Sequence, residues 1–120
     1  MVNNESQEMY LETILKLQQR KGNVRAIDVA EELGYSKPSV SRAVGIMKTD
    51  GFIVVHPDGM IELTDTGRAR AQNVFDRHLA LTQALVQMGM SVEAAEDNAC
   101  RVEHVITEEA FEAIRKYFNV

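Results

Sequence analysis

The sequence predicts a mainly α fold with one small β-hairpin, divided into two regions of different character. Three observations carry this. Apolar residues recur at helical spacing through most of the 120 residues, and one stretch, "FIVVHPDGMIEL" at 52–63, reads as two short strands around a turn. Charge is also unevenly spread. Residues 1–70 hold nine Lys/Arg against ten Asp/Glu, a balance of −1, whereas residues 71–120 hold four against eight, a balance of −4.

The first helix is expected from Ser6, a candidate N-cap with Glu8 in the first turn, to Gly22-Asn23. Tyr10, Ile14 and Leu17 form its apolar stripe, widened by Leu11 and Leu15. A short second helix, "AIDVAEELG", places Ile27, Ala30 and Leu33 on one face, and Gly34 supplies a permissive backbone at its end. The third helix starts at the cap Ser36, tolerates Pro38 in its first turn, carries Val40, Val44 and Met47 inward, and closes at Gly51. The hairpin pairs 52–56 with 60–63 across Pro57-Asp58-Gly59. Thr64 or Asp65 caps a long fourth helix to about Met88, with Leu79, Ala80, Leu81, Ala84 and Leu85 apolar, and Gly89 breaks it. Ser91 caps a fifth helix over 92–105, and Thr107 a sixth bearing Phe111, Ile114 and Phe118.

Two short helices joined by a tight turn at Gly34, followed at once by a hairpin, make a winged helix-turn-helix. The expected domains are 1–70, a DNA-binding winged helix, and 71–120, a helical region whose acidic balance suits a dimerisation and metal-sensing role. The start of helix three offers Ser36, Lys37, Pro38, Ser39 and Arg42, and Lys48 lies at its end. Hydroxyls and N–H groups at a helix N-terminus suit phosphates, and the guanidinium fork of Arg42 matches a phosphate or a guanine edge. A reader this small recognises a short site, so a homodimer on double-stranded operator DNA is expected, with half-sites about one helical turn apart.

Composition narrows the classes. An apolar content of 45% excludes a disordered chain, and no apolar run approaches the length of a membrane helix. The opening "MVNNESQEMY" lacks the regions of a secretory signal, and a single cysteine forms no internal disulfide; a cytoplasmic protein without a membrane partner is expected. A net charge of −5 confines any phosphate-binding surface to the first half, while the acidic second half suits cations or partner subunits.

On helix five, Glu96, Cys100, Glu103 and His104 are spaced i, i+4, i+7, i+8, which places them on one face of a continuous helix. Burying such a face favours a cation. Met9 and Glu12 on helix one, and His78 on helix four, supply further donors. Singly, each has an ordinary alternative: Met9 as a core filler, Cys100 as a small buried hydrophobe, Glu12 and Glu96 as solvated groups, His78 as a partner of Asp76.

The segments "EMYLETI", "DVAEELGYSKPSVSRAV", "DGFI", "LTDTGRARA", "RH" and "ACRVEHVI" resemble, in order and spacing, the diphtheria toxin repressor family, metal-dependent transcriptional regulators that include the manganese transport regulators. The resemblance implies a dimer that binds operator DNA when loaded with a divalent metal. It implies a primary site of Met9, Cys100, Glu103 and His104, and a second site of Glu12, His78 and Glu103, with Glu96. Met and Cys at the first positions are similar to the iron-type branch; Glu12 and His78 are similar to the manganese-type branch. Two departures from the iron-type branch stand out: Thr82 stands where that branch has a carboxylate four residues after the helix-four histidine and Glu96 where it has a histidine, and a short form without the SH3-like third domain is expected.

Thioether and thiolate donors disfavour Mn²⁺ and suit Fe²⁺ and later metals, so Fe²⁺ is the expected ion, Mn²⁺ the alternative, and Co²⁺, Ni²⁺ or Zn²⁺ substitutes in vitro. A metal-independent winged-helix regulator sensing redox state through Cys100, or a small ligand, is the competing reading, and a protein-interaction winged helix another. No spare nucleophile or acid/base pair accompanies the donors, so the chain is expected not to be an enzyme.

Overall fold

In the computed structural model, residues 4–120 are described, Asn4 by its backbone alone. They form two compact units, the first ending at Gln72 and the second spanning Asn73–Val120.

The first unit is organised around α1 (Asn4–Lys21), whose Tyr10, Leu11, Ile14, Leu15 and Leu17 are all buried, as their spacing predicts. Each such side chain stabilises the unit by roughly 1.5–3 kcal/mol on burial. The helix already runs from Asn4, so Ser6 lies in its first turn rather than capping it. The second helix, α2 (Ala26–Leu33), buries Val29 and Ala30 and leaves Ile27 38% exposed. The inward face is thus Ala26, Val29, Ala30 and Leu33, an i, i+3, i+4, i+7 set that Ile27 does not join. Asp28 closes a capping box by accepting from the Arg25 N–H at 2.8 Å. Gly34, at φ 70°, adopts the left-handed conformation that turns the chain into α3 (Lys37–Thr49). There Ser36 caps the helix by accepting from the Ser39 N–H, Pro38 sits in the first turn, and Val40, Ala43 and Met47 are buried.

Strands β1 (Ile53–Val55) and β2 (Ile61–Leu63) pair antiparallel, Ile53 with Leu63 and Val55 with Ile61. Ile53, Ile61 and Leu63 face inward, and the Val54–Glu62 pair faces solvent, the alternation a one-sided hairpin requires. The wing tip is tied down by Arg25, whose Nε donates to the Asp58 carbonyl at 3.3 Å and whose Nη2 lies 3.5 Å from the Asp58 carboxylate. After β2, the Thr64 hydroxyl accepts from the Gly67 N–H at 3.1 Å and so caps α4 (Asp65–Gln87). Gly67 is buried against the backbone of Phe52, and a Cβ there would overlap the Phe52 carbonyl.

The second unit comprises the later part of α4, α5 (Val92–Val102) and α6 (Glu108–Phe118). Ser91 and Thr107 cap α5 and α6 as expected, accepting from the Ala94 and Ala110 N–H groups. The core is small: Ala80, Leu81, Ala99 and Phe111, with Ile106, Ile114 and Val120 packed against it. Phe111, 6% exposed, is the largest side chain of this core cluster. Leu79, on the broad apolar surface expected of α4, is 44% exposed.

Candidate metal centre and DNA-reading helix

The candidate DNA-contact residues lie in the first unit. Ser36, Lys37, Pro38, Arg42 and Lys48 are exposed around α3, and Ser39 is half-buried. The Ser36 hydroxyl also donates to the Ser39 hydroxyl at 2.9 Å, so both serines are engaged in the cap, while Lys37, Arg42 and Lys48 present their charge to solvent. A helix start with its N–H groups directed outward and cations beside it is a surface fit for phosphate.

The metal-site candidates of the second unit cluster where α5 ends. The helix stops at Val102, three residues earlier than the periodicity predicts, and Glu103 is its C-cap. The chain then tightens: the N–H groups of Val105 and Ile106 both donate to the Val102 carbonyl at 3.0 Å. Burial divides the four candidates of this segment, Glu96, Cys100, Glu103 and His104. Glu96 and Cys100 are exposed, and the buried positions of α5 are Ala95 and Ala99. Glu103 keeps helical backbone, with φ −57°, ψ −26° and its N–H donating to the Ala99 carbonyl at 2.9 Å, so it continues the buried row of Ala95 and Ala99; the Glu103 and His104 side chains are 0% and 1% exposed.

Glu103 is a wholly buried carboxylate between two imidazoles. Its Oε2 lies 2.7 Å from His78 Nδ1, a contact satisfied by a proton on that nitrogen. Its Oε1 lies 3.3 Å from His104 Nε2 and receives no hydrogen bond among the described residues. Arg77 does not neutralise this carboxylate. Its Nη1 donates to the Glu103 backbone carbonyl at 3.2 Å, its Nη2 to the Glu108 carboxylate at 2.8 Å, and its guanidinium lies over the Phe111 ring. A buried anionic oxygen beside an imidazole nitrogen is costly unless a cation or proton joins it, and oxygen with imidazole nitrogen is a donor set suited to a divalent metal. The residues present fit such an ion.

The donors on α1 are placed in the first unit. Glu12 is buried, 5% exposed, with Lys16 Nζ 3.8 Å from its Oε1. Met9 is half-buried, and its Sδ accepts a hydrogen bond from the Tyr35 hydroxyl at 3.3 Å. Sequence spacing offered no sign of the Tyr35 contact, nor of the His78–Glu103 pair, because each joins residues far apart in the chain. The "RH" dipeptide did place Arg77 and His78 together, and both turn out to bear on Glu103, one on its backbone and one on its side chain.

A winged helix with an exposed basic reading helix, followed by a helical unit with a buried histidine–carboxylate cluster, defines the winged-helix regulators that carry a metal-binding domain. Residues 4–61 match the family model of the iron dependent repressor N-terminal DNA binding domain, and residues 64–120 that of the iron dependent repressor metal binding and dimerisation domain. The chain belongs to the family of the diphtheria toxin repressor and the manganese transport regulators. It is 37% identical over 103 residues to the diphtheria toxin repressor of Corynebacterium diphtheriae, covering 85% of this chain and 46% of that protein. It is 33% identical over 108 residues to the transcriptional regulator MntR of Escherichia coli O6:H1, covering 90% and 70%. Among solved structures, a manganese-dependent transcriptional repressor in complex with manganese superposes with a TM-score of 0.86 at 26% identity, covering 94% of this chain and 52% of that one. The chain thus spans about half the length of the diphtheria toxin repressors it matches. No helix among the described residues is long and apolar enough to cross a membrane.

Proposed function

We propose that the chain is a metal-dependent transcriptional repressor that binds double-stranded operator DNA as a cytoplasmic homodimer, and that a divalent metal held jointly by α1 and the turn after α5 favours the DNA-binding state. The observation that carries this reading is Glu103: a fully buried carboxylate, one oxygen of which lies beside His104 and receives no hydrogen bond among the described residues, in a chain of this family.

Met9, Cys100, Glu103 and His104 form the proposed primary set, and Glu12, His78 and Glu103, with Glu96, the second. Glu103 and His104 would hold a divalent cation, which would offset the charge of the buried carboxylate. The chain's own residues do the rest. Glu103 is the acceptor common to both sets, and its contact with His78 holds the His78 ring in one orientation. Glu103 and His104 have buried side chains, while Cys100 lies on the exposed side of α5. Met9 and Glu12 belong to the DNA-binding unit, so joint ligation would bias its arrangement, and a coupling of about 1–3 kcal/mol makes a useful switch. Thioether and thiolate donors favour Fe²⁺ over Mn²⁺. Exposed Met88, Val92, Val105 and Tyr117 offer apolar surface for the dimer.

The test is anaerobic. Duplexes selected from a random pool with metal-loaded protein are titrated with the chain stripped of metal, or supplied with Fe²⁺ or Mn²⁺. Tighter binding of the loaded chain is expected; equal affinity in both states would remove the switch. For selectivity, Met9→Asp combined with Cys100→Glu should raise the Mn²⁺ response relative to Fe²⁺, read from the same titration. An unchanged ranking would show that these positions do not set it.

A further inference from the structure

We propose that Tyr35 is a positioning residue that couples the Met9 thioether to the start of the DNA-reading helix, a role that rests on the reading of Met9 as a metal donor. Tyr35 immediately precedes Ser36, the N-cap of α3. Its backbone N–H donates to the Ala30 carbonyl at 3.1 Å, and its ring meets the buried Tyr10 ring edge-on, with centroids 6.0 Å apart. Its hydroxyl donates to Met9 Sδ at 3.3 Å. Tyr35 is 43% exposed, so water competes for that hydroxyl, yet the ring is held with its oxygen on the sulfur.

A thioether sulfur has two lone pairs. The phenol occupies one and leaves the other for a cation, so the contact is compatible with ligation. It also restrains a side chain with three freely rotating bonds, which lowers the entropy lost when the sulfur becomes a ligand. The same phenol hangs from the residue next to the α3 cap, so a constraint on Met9 is also a constraint on where the reading helix begins. Both ends of this link lie in the first unit, and Tyr35 itself supplies no donor to the metal.

The experiment uses the full chain and Tyr35→Phe, which keeps the ring against Tyr10 and removes only the hydroxyl. In metal-free protein labelled with ¹³C-methyl methionine, the Met9 methyl is assigned with Met9→Leu. Tyr35→Phe is expected to move that methyl resonance towards a rotamer-averaged position at unchanged melting temperature. It is also expected to weaken Mn²⁺ and Fe²⁺ binding, measured anaerobically without DNA, by about three- to tenfold. In the Met9→Leu background the same substitution should change nothing further. Unchanged metal affinity in Tyr35→Phe would overturn the role, and tighter binding would overturn it too, by showing that phenol and metal compete. Absence of metal binding by the unsubstituted chain would overturn the ligand reading and this role with it. Normal binding there, with no effect of Tyr35→Phe, would overturn this role alone.

Discussion

The two units use their apolar residues in different ways. In the first, Leu11, Ile14, Leu15, Val24, Val29, Val40, Met47 and Ile61 are all nearly or fully buried, and the unit closes over its own core. In the second, the core cluster is two alanines, Leu81 and Phe111, while Met88, Val92, Val105 and Tyr117 remain 55–84% exposed. Its most thoroughly buried polar group is the carboxylate of Glu103. A unit that leaves large side chains outside and a charge inside is built to be completed by something else. A unit that buries its large side chains and presents cations on one helix is built to read a surface.

This contrast can be broken by substitution. The largest effect is expected for Phe111→Ala, because one aromatic carries much of a small core; a loss of about 3–5 kcal/mol should unfold the second unit first in a calorimetric or hydrogen-exchange measurement. Loss of the first unit's protection instead would show that the two cores are not as unequal as their composition. Next is Gly67→Ala, which drives a methyl into the Phe52 carbonyl and should cost about 1–3 kcal/mol, seen as a lower urea midpoint and loss of protection at the hairpin. Met88→Asp sharpens the contrast from the other side. It should raise the dimer dissociation constant about tenfold in sedimentation equilibrium while leaving helix content intact, and an unchanged constant would place the interface elsewhere.

The smallest effect tests local chemistry. The Lys21 ammonium and the Arg25 backbone N–H hold the Asp28 carboxyl below the ordinary carboxylate range. A depressed folded-state value means that Asp28 stabilises the first unit above its unfolded value, and that this contribution fades as the pH falls through the folded one. Asp28→Asn should therefore cost about 0.5–1 kcal/mol at neutral pH and progressively less below about pH 4 in acid-dependent melts. A constant difference at every pH would assign the effect to the cap geometry alone.

Much of this architecture was legible in the sequence. Ser36, Ser91 and Thr107 cap their helices where spacing put them, Gly34 turns where a left-handed residue was needed, and the hairpin closes around Pro57-Asp58-Gly59. These features depend on interactions within a few residues of one another, so composition and spacing carry them. The same holds for the reading helix, whose exposed cations follow from its own amphipathic pattern. The end of α5 was not legible. No Gly or Pro follows Val102, and helical periodicity runs on through Glu103 and His104.

That end, and with it the centre, was decided by tertiary structure. Glu103, the C-cap of α5, lays its carboxylate against His78, 25 residues back in the chain, while Arg77 donates to its carbonyl. Likewise Met9 meets Tyr35 across 26 residues. By itself the sequence determined which candidate donors exist, which helices carry them and which cations α3 offers. Only the folded chain decided which donors are buried and what each one touches, because desolvation of a charged side chain depends on what surrounds it in space and not on its neighbours in the chain.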